Sequence, residues 1–376
     1  MKTLWKSYGI LFSIILVLSL AIASCAPAAT EAPAAEAPAA EAPAAEALAT
    51  EAPATEAPAA EAPKELTKVT LRLNYLPQTE YAGSFIALWN GYYEEEGLDV
   101  EIRGAGQELN SISAVASGGD TFGISEPHTV IISRAQGVPM KHIFQGDTDA
   151  YLRYVVKKSS GITKIEDLRG KTVSLWLGGA EWEMLCMLRK AGIDPEKDVN
   201  IVAQRVGLVP FYENQVDLAQ VTTFNELQQI YKAGYSPDDI IVFRAADYGC
   251  GLVGNGIMTL EDTVKNQPDV VQGFVNATAR GWKWAFEHPK ETVEMFIKEY
   301  PELDYGGQLL MLEEERKLYL GRNAGTLGVG YLDPDYLTEA QAVILDNKLI
   351  DSPVDLSEIY ASEFWENIPD EYKIVK

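Results

Sequence analysis

Short strand-like segments and longer helix-like segments follow one another along the chain from about residue 66 onwards. Apolar runs and period-two patterns predict strands at residues 69–74, 98–102, 121–125, 172–175, 199–202 and 217–221. Apolar residues at helical spacing predict helices at residues 82–90, 110–117, 129–136, 181–191 and 225–233. This alternation is typical of α/β layers built on mostly parallel sheets. Because the alternation runs through two cycles, we expect two lobes.

The amino-acid composition of the chain limits the classes of protein to which it can belong. The 376 residues are enough for two domains of ordinary size. A net charge of −24 and a pI near 4.5 argue against a nucleic-acid partner, because phosphates require clustered Lys and Arg. Three histidines and three cysteines, without a CxxC pair or an HExxH motif, leave too few ligands for a zinc or iron site of known spacing. We therefore expect no metal, no cofactor and no nucleic acid.

The amino terminus has the pattern of an export signal. Lys2 and Lys6 precede an apolar run at residues 11–24, which is shorter than the ~20 residues of a comfortable transmembrane helix. The run ends in Ile-Ala-Ser-Cys, which resembles a bacterial lipobox, so Cys25 is the expected site of lipidation. Residues 1–24 would then be a signal peptide, with the mature protein lipid-anchored on the extracytoplasmic face of the cell membrane. An ordinary secretory signal with an incidental cysteine is the alternative.

A segment rich in Glu, Ala and Pro occupies residues 25–65. Pentads similar to EAPAA repeat between Thr30 and Pro63. A proline in nearly every pentad removes a backbone donor and restricts the preceding residue, so the segment favours an extended chain over a helix. At ~3.1 Å per residue such a chain reaches on the order of 100 Å. We interpret it as a lipid-anchored linker that carries the folded domain of residues 66–376.

Four segments of the folded domain carry a resemblance to a known family. They are NYLPQTEYAGSFIALWNGYYEEEGLDVEI at 74–102, VASGGDTFGIS at 115–125, HTVIISRAQGVP at 128–139 and IEDLRGKTVSLW at 165–176. In this order they resemble the substrate-binding proteins of bacterial ABC importers, in the branch related to thiamine-pyrimidine synthases and to sulfonate, taurine and nitrate binders. The resemblance implies a two-lobed, periplasmic-binding-protein-like fold of type 2, with the chain crossing between the lobes and a ligand cleft between them. It also implies a membrane permease and its ATPase as partners.

Candidate ligand-binding residues lie in or beside the loops after the predicted strands, because ligands of open α/β sheets bind at the carboxyl ends of the strands. Aromatic side chains in these loops suit stacking on a flat ring, and carboxylates and amides suit hydrogen bonds to it. No loop carries the pair of basic residues that would hold a sulfonate or nitrate. The candidates are Asn74, Tyr75, Tyr81, Ser125, Glu126, His128, Trp176, Glu181, Trp182, Tyr212, Asn225, Asp247 and Tyr248.

His128 bears on whether the protein is an enzyme. The synthases that the chain resembles have a histidine before a similar helix, and His128 matches that position. They also have a cysteine-rich segment, where this chain has only GCGLVGNG at 249–256. This departure indicates a binding protein with no catalytic residue. His128 is then a contact in the cleft, with a helix-capping or interlobe role as the alternative.

A related group of the lipoproteins that the chain resembles serves riboflavin uptake, so the resemblance makes riboflavin the expected ligand. Its large neutral tricycle and polyol tail would suit loops rich in tyrosine, tryptophan and carboxylates. A thiamine pyrimidine precursor of the hydroxymethylpyrimidine type is the second candidate. Tyr75 and Tyr81 stand where pyrimidine binders often have tryptophan and histidine, which favours the first candidate. A sulfonate or nitrate binder, a pyrimidine-synthase-like enzyme and a structural surface lipoprotein are the remaining alternatives.

Cys186 and Cys250 could form a disulfide in an oxidising exterior. Cys186, however, lies within an apolar helix face, where a free cysteine behaves as a small buried apolar residue. We therefore expect Cys186 to be unpaired.

Overall fold

A computed structural model of the chain describes residues 65–105, 110–205 and 207–376. The predicted signal peptide, the lipidation site at Cys25 and the linker up to residue 64 lie outside these residues. Within the three described ranges, no helix combines the length and the apolar character needed to cross a membrane.

The described ranges contain ten strands, arranged in two five-stranded sheets. The strands are β1 (Thr67–Arg72), β2 (Leu98–Arg103), β3 (Phe122–Ser125), β4 (Met140–Gln145), β5 (Leu152–Lys157), β6 (Thr172–Leu175), β7 (Asn200–Ala203), β8 (Leu218–Thr222), β9 (Ile240–Phe243) and β10 (Gly256–Leu260). The first sheet has the order β2-β1-β3-β10-β4, and the second has the order β7-β6-β8-β5-β9. Each sheet with its helices forms one lobe.

One strand in each sheet runs against the others. In the first sheet β10 is antiparallel to both of its neighbours, β3 and β4. In the second sheet β5 is antiparallel to both β8 and β9. The remaining pairs are parallel, as the alternation of strands and helices predicts. The predicted two-lobed α/β fold is therefore confirmed, with one reversed strand per sheet that the pattern did not indicate.

Fifteen α-helices in the described ranges surround the sheets. They are α1 (Ala82–Trp89), α2 (Tyr92–Glu95), α3 (Ser111–Ala116), α4 (Pro127–Ala135), α5 (Trp182–Lys190), α6 (Val209–Tyr212), α7 (Glu226–Lys232), α8 (Glu261–Asn266), α9 (Pro268–Glu287), α10 (Pro289–Glu299), α11 (Tyr305–Tyr319), α12 (Ala324–Leu327), α13 (Pro334–Asp346), α14 (Ser362–Glu366) and α15 (Asp370–Lys373). The five predicted helices correspond to α1, α3, α4, α5 and α7, with ends within two residues of those expected.

Helix α9 packs against α1 at a contact that requires glycine in both helices. A Cβ atom on Gly281 would lie 2.0 Å from the carbonyl oxygen of Gly83, and one on Gly83 would lie 2.1 Å from Cγ of Trp282. Both distances are too short for any side chain, so the two backbones approach closely and Trp282 fills the adjoining space. This contact covers one face of the first sheet, whose core includes Leu71 and Phe274.

The chain crosses between the lobes twice, after β4 and before β10, and the two crossing segments are hydrogen-bonded to each other. The amides of Gly146 and Asp147 both donate to the carbonyl oxygen of Asn255, each at 2.9 Å. In return the amide of Asn255 donates to Oδ2 of Asp147 at 3.0 Å. The side chain of Gln145 donates to the carbonyl oxygens of Asp147, Gly254 and Asn255. The two crossings therefore form one connected strip between the lobes.

Cys186 and Cys250 form a disulfide, with a Sγ–Sγ distance of 2.02 Å. The expectation of an unpaired Cys186 was therefore wrong. The two residues are separated by 64 positions, and the fold brings the turn after β9 against α5. A loop of that length gives a chain-entropy stabilisation of about 4 kcal/mol in the simplest treatment. Local helix pattern carries no information about such a long-range pairing.

Candidate functional site

A cleft of about 630 Å³ opens where the two sheets face each other. Its walls follow the carboxyl ends of β1, β3, β6, β7 and β8 and include the start of the reversed strand β5. The lining residues are Asn74, Tyr75, Gln78, Glu80, Glu126, Tyr151, Leu152, Trp176, Ala180, Gln204, Arg205, Thr222, Phe224, Asn225 and Glu226. Its size is typical of sites for small organic ligands.

The first lobe contributes a polar wall, defined here by Asn74, Gln78, Glu80 and Glu126. The side chain of Asn255, on the second crossing, connects two of its members. Nδ2 of Asn74 donates to Oδ1 of Asn255 at 2.7 Å, and Nδ2 of Asn255 donates to Oε1 of Glu80 at 2.8 Å. Asn255 is buried, so the polar wall is attached directly to the strip that joins the lobes.

Glu80 is a buried carboxyl group at the edge of this wall, with only 8% of its surface exposed. Burial raises the pKa of Glu80 to about 8, against the lowering effect of a hydrogen bond from Gln78, and the charge of Asp147 raises it further. Nε2 of Gln78 donates to Oε2 of Glu80 at 2.6 Å. A pKa above neutrality leaves the group protonated at pH 7, so Glu80 can donate a hydrogen bond to an acceptor in the cleft.

Two further carboxyl groups are buried behind Glu80. Asp147 and Glu315 are essentially inaccessible to solvent, and one oxygen of each has no hydrogen-bond partner among the described residues. Burial raises the pKa of Asp147 to about 7, and burial together with the charge of Asp147 holds the pKa of Glu315 well above its usual range. The fold therefore shifts both carboxyl groups toward their protonated forms.

The second lobe contributes an aromatic wall, defined here by Trp176, Ala180 and Phe224. The buried amide of Gln220 on β8 fixes the loop that carries the first two. The backbone amide of Trp176 donates to Oε1 of Gln220 at 2.8 Å, and Nε2 of Gln220 donates to the carbonyl oxygen of Ala180 at 2.6 Å. The half-buried ring of Trp176 is thereby held at the cleft.

Further aromatic rings line the cleft beside both walls. Tyr75 is 39% exposed and comes from the loop after β1. Tyr151 precedes β5, and its ring centroid lies 5.6 Å from that of Phe224. Because Tyr75 and Trp176 belong to different lobes, a flat ligand can contact aromatic surface on two sides of the cleft.

Three glutamates stand at the starts of helices around the cleft. Glu126 immediately precedes α4 and accepts a hydrogen bond from the hydroxyl of Tyr151 at 3.1 Å. Glu181 immediately precedes α5, and Glu226 is the first residue of α7. Glu126 and Glu226 line the cleft directly, whereas Glu181 is buried beside it.

His128 lies behind Glu126, in the first turn of α4, with only 5% of its surface exposed. Together with Tyr151 it lines a separate cavity of about 20 Å³, and neither ring nitrogen has a hydrogen-bond partner among the described residues. Burial lowers the pKa of His128, although the charges of Glu126 and Glu181 act in the opposite direction. The imidazole is therefore neutral at pH 7 and does not line the main cleft.

The predicted site residues fall into three groups. Those that line the cleft are Asn74, Tyr75, Glu126, Trp176 and Asn225. Those that lie directly behind it or beside it are Tyr81, Ser125, His128 and Glu181. The hydroxyl of Tyr81, for example, donates to Oδ1 of Asn74 at 2.7 Å and orients that side chain. Trp182, Tyr212, Asp247 and Tyr248 do not line the cleft.

The topology explains why the last group lies elsewhere. Asp247 and Tyr248 follow β9, which is the edge strand of the second sheet. Tyr212 ends α6, and its ring stacks on Tyr235 with a centroid separation of 6.0 Å, against a small core on the second lobe. Trp182 packs against the core of the second lobe. Being after a strand is therefore not sufficient. The carboxyl end of β7, at one edge of the second sheet, lines the cleft through Gln204 and Arg205, whereas that of β9, at the opposite edge, does not.

Several lining residues escaped the sequence analysis. Tyr151 and Leu152 belong to the start of β5, a strand that the alternation did not predict. Gln204 and Arg205 directly follow β7, so the rule about carboxyl ends of strands was enough to propose them. Glu80 lies five residues beyond Tyr75, in the segment after β1; it lines the cleft, and its Oε1 accepts from Nδ2 of Asn255, 175 positions away.

The described part of the chain contains no cluster of side chains suited to binding a metal ion. No group of three or more His, Cys, Asp and Glu side chains is arranged there to hold a metal ion. The cleft lining itself offers aromatic rings, amides and carboxyl groups, which suit stacking and hydrogen bonding.

The chain is similar to proteins of two kinds. It is 27% identical over 309 residues to the riboflavin-binding protein RibY of Chloroflexus aurantiacus, covering 80% of this chain and 86% of that protein. It is 24% identical over 256 residues to the formylaminopyrimidine-binding protein of Halalkalibacterium halodurans, covering 67% and 76%. It is also 24% identical over 243 residues to the 4-amino-5-hydroxymethyl-2-methylpyrimidine phosphate synthase of Legionella pneumophila, covering 63% and 75%.

A solved structure supports the assignment of the fold. The periplasmic nitrate-binding protein NrtA of Synechocystis PCC 6803 superimposes with a TM-score of 0.60 at 12% identity, covering 82% of this chain and 91% of that one. Identity this low supports the fold alone. Residues 78–292 match the family described as NMT1/THI5 like, and because this match covers more than half of the chain, the protein belongs to that family.

Proposed function

We propose that this protein is the extracytoplasmic substrate-binding component of an ABC importer, and that it captures riboflavin for delivery to a membrane permease. The observation that carries the proposal is a cleft with aromatic surface on both lobes and a hydrogen-bonding wall on one of them. The similarity to a riboflavin-binding protein over 80% of the chain supports the choice of ligand.

The two walls suit the two parts of riboflavin. The flat tricyclic ring is matched by Tyr75 and Trp176, since stacking on aromatic side chains is worth ~0.5 to 1.5 kcal/mol beyond the burial of area. The ring carbonyls and nitrogens and the hydroxyls of the ribityl chain are matched by Asn74, Glu80 and Asn225. Protonated Glu80 donates where a carboxylate would only accept.

Capture involves closure of the lobes over the ligand. A ligand that touches both walls binds the closed arrangement more tightly than the open one, and it shifts the population by that difference in affinity. The two crossing segments are the only covalent connections between the sheets in the described residues. Closure must therefore be accommodated at the strip that includes Asp147 and Asn255.

Fluorescence titration tests the choice of ligand. Riboflavin emission is sensitive to stacking against tyrosine and tryptophan, so adding the protein should quench it saturably. The variant Trp176→Ala should weaken the quenching, whereas Tyr212→Ala provides a matched control because that ring lies outside the cleft. Absence of saturable quenching with the folded protein would overturn riboflavin as the ligand.

A thiamine pyrimidine precursor is the second candidate. The similarity to a formylaminopyrimidine-binding protein favours it. A single pyrimidine ring would occupy less of the 630 Å³ cleft than a tricycle does. Competition separates the two ligands: an aminopyrimidine that binds while riboflavin does not would make the pyrimidine the ligand.

We propose that the protein binds its ligand without converting it, although a relative is a synthase. The GCGLVGNG segment contains Cys250, whose thiol is consumed in the disulfide with Cys186. Incubating the purified protein with riboflavin or an aminopyrimidine and analysing the mixture by mass spectrometry tests this proposal. Turnover of either compound would contradict it.

Anchoring at the membrane is part of the same proposal. Residues 1–24 would direct export, Cys25 would carry the lipid, and residues 25–65 would link it to the two-lobed domain of residues 66–376. The variant Cys25→Ser should leave the protein unprocessed or release it from membranes. Membrane retention with normal processing of that variant would rule out the lipid anchor.

A further inference from the structure

The helices that begin at the cleft have unusual N-terminal chemistry. The N-terminus of a helix is a favourable place for an anion, because its amide groups are unpaired and its dipole is positive there. Helices α4, α5 and α7 all begin beside the cleft, and each has a glutamate just before or at its first residue. These glutamates are Glu126, Glu181 and Glu226.

Glu181 occupies the amide groups of the glycine-containing loop before α5. Its Oε2 accepts hydrogen bonds from the amides of Gly178 at 3.0 Å and of Gly179 at 2.7 Å. Successive amides of this kind, in a loop that precedes a helix, are the groups that would otherwise hold a phosphate. In this protein its own carboxylate takes that position, and Glu181 is buried there.

Glu226 likewise accepts from hydrogen-bond donors that could otherwise bind an anion, on the other side of the aromatic wall. Its Oε2 accepts from the amide of Thr222 at 3.1 Å and from the hydroxyl of Thr222 at 2.7 Å, and Oε1 accepts from Nδ2 of Asn225 at 3.1 Å. The donors at the carboxyl end of β8 are thus directed to a carboxylate of the protein, and they are not available to an anionic ligand.

The start of α4 offers even less to an anion. Its first residue is Pro127, which has no amide hydrogen. Glu126 places a carboxylate at the cleft immediately before it. Arg205, which is exposed, is the one basic side chain among the described residues that line the cleft. Two lining carboxylates therefore oppose a single cation.

We infer that the cleft selects the uncharged form of its ligand against a phosphorylated form, and that Glu126, Glu181 and Glu226 determine this selectivity. The inference rests on the proposed function and specifies its ligand class. A phosphate ester of the ligand would bring negative charge next to these carboxylates, two of which already take the donors of the loop before α5 and of the carboxyl end of β8. Where the ligand is present outside the cell as a phosphate ester, hydrolysis of the phosphomonoester must therefore precede capture.

The test compares two probes on the same folded protein. The affinity of the full chain for riboflavin 5′-phosphate should be at least about tenfold lower than its affinity for riboflavin, since like charges at short range disfavour binding. The ratio of the two affinities should shrink as salt is added, because screening weakens the repulsion. The double variant Glu126→Gln/Glu226→Gln should shrink the ratio about threefold or more, and Glu196→Gln, an exposed residue remote from the cleft lining, should leave it unchanged.

The affinity ratio separates this inference from the proposed function. Binding of neither probe would overturn the proposed function and the inference with it. Equal binding of the two probes, or a ratio that the glutamine variants leave unchanged, would overturn the inference alone. Tighter binding of the phosphate ester that is lost in Arg205→Ala would assign phosphate capture to Arg205 and would also overturn it. If the double variant does not fold, Glu226→Gln alone provides the same comparison.

Discussion

The polar wall and the aromatic wall are each held in place by one buried amide side chain, but the two amides act on different partners. Asn255 bonds to the side chains of Asn74 and Glu80. Gln220 bonds to backbone groups of the loop at Trp176 and Ala180. The polar wall therefore depends on several particular side chains, since each forms a hydrogen bond through its own polar group. The aromatic wall depends on the conformation of a loop backbone, which other side chains at the same positions could also adopt.

The largest expected effect comes from removing the amide behind the polar wall. Asn255→Ala leaves Nδ2 of the half-buried Asn74 and Oε1 of the buried Glu80 without this partner, and a buried group that loses its partner costs about 1 to 3 kcal/mol. We expect a loss of about 3 kcal/mol in the free energy of unfolding, together with weaker ligand binding. Chemical denaturation and fluorescence titration measure the two effects. Unchanged stability would show that the polar wall does not depend on Asn255.

Gln220→Ala is the corresponding change behind the aromatic wall. It leaves the amide of Trp176 and the carbonyl oxygen of Ala180 unpaired, but both belong to a half-buried loop that water can reach. We expect a smaller loss of stability, about 2 kcal/mol. The same denaturation experiment provides the measurement. A loss larger than that of Asn255→Ala would reverse the comparison between the walls.

Removing the indole of the aromatic wall should affect binding more than stability. Trp176 is half-buried, so Trp176→Ala removes little from the core. We expect a loss of about 1 to 2 kcal/mol in binding free energy for a stacked ring. Riboflavin titration checks this value, with Tyr212→Ala as the control. An equal loss of affinity in the control would argue against stacking on Trp176.

The polar wall and the carboxyl groups behind it should contribute to the pH dependence of stability, together with Glu183 of α5, whose pKa burial also raises to about 8. The pKa of Glu80 rises from 4.5 to about 8 in the folded protein, and that of Asp147 rises from 3.8 to about 7. Between these values the folded state holds more protons than the unfolded state, so stability falls as the pH rises from about 4 to about 8. We expect a decrease of at least about 1 kcal/mol from pH 5 to pH 8.5.

Thermal unfolding across that range measures the decrease, and Glu80→Gln, which cannot ionise, should make the dependence shallower. A melting temperature that rises steadily from pH 5 to pH 8.5 would contradict the protonated state assigned to Glu80. Trp176→Ala serves as the control, because a change in the aromatic wall should leave the slope unaltered.

The smallest effect should come from a change that touches neither wall. Deleting residues 30–63 removes only the Glu/Ala/Pro-rich repeats, which are predicted to have no buried partner. The melting temperature and the ligand affinity of the remaining domain should stay nearly the same. A drop of more than a few degrees would mean that the repeats pack on the lobes and contribute to one of the walls.

The sequence predicted part of each wall, namely Asn74 and Glu126 of the polar wall and Trp176 of the aromatic wall. These residues end or directly follow predicted strands, and a local rule about strand ends is sufficient to find them. Asn255, which connects Asn74 and Glu80 of the polar wall, is far from both in the sequence, and the carboxyl groups behind the wall come from positions as distant as Asp147 and Glu315. Contacts of this separation leave no periodic trace in the sequence.

The reversed strands were missed for a related reason. β5 and β10 are short apolar segments next to glycine-containing or polar stretches, and their pairing partners are set by the crossings between the lobes. The disulfide of Cys186 was missed because its partner lies on the turn after β9. Local patterns predict which segments form strands and helices, whereas the order in which they meet depends on the whole chain.

The position of β10 has a consequence for the order in which the chain can fold as it leaves a ribosome or an export channel. All five strands of the second sheet lie between residues 152 and 243 and can pair once that stretch has emerged. The first sheet begins earlier, but β3 and β4 have no strand between them until residues 256–260 arrive. The lobe whose strands come first is therefore completed last, and its exposed strand edges need protection until then.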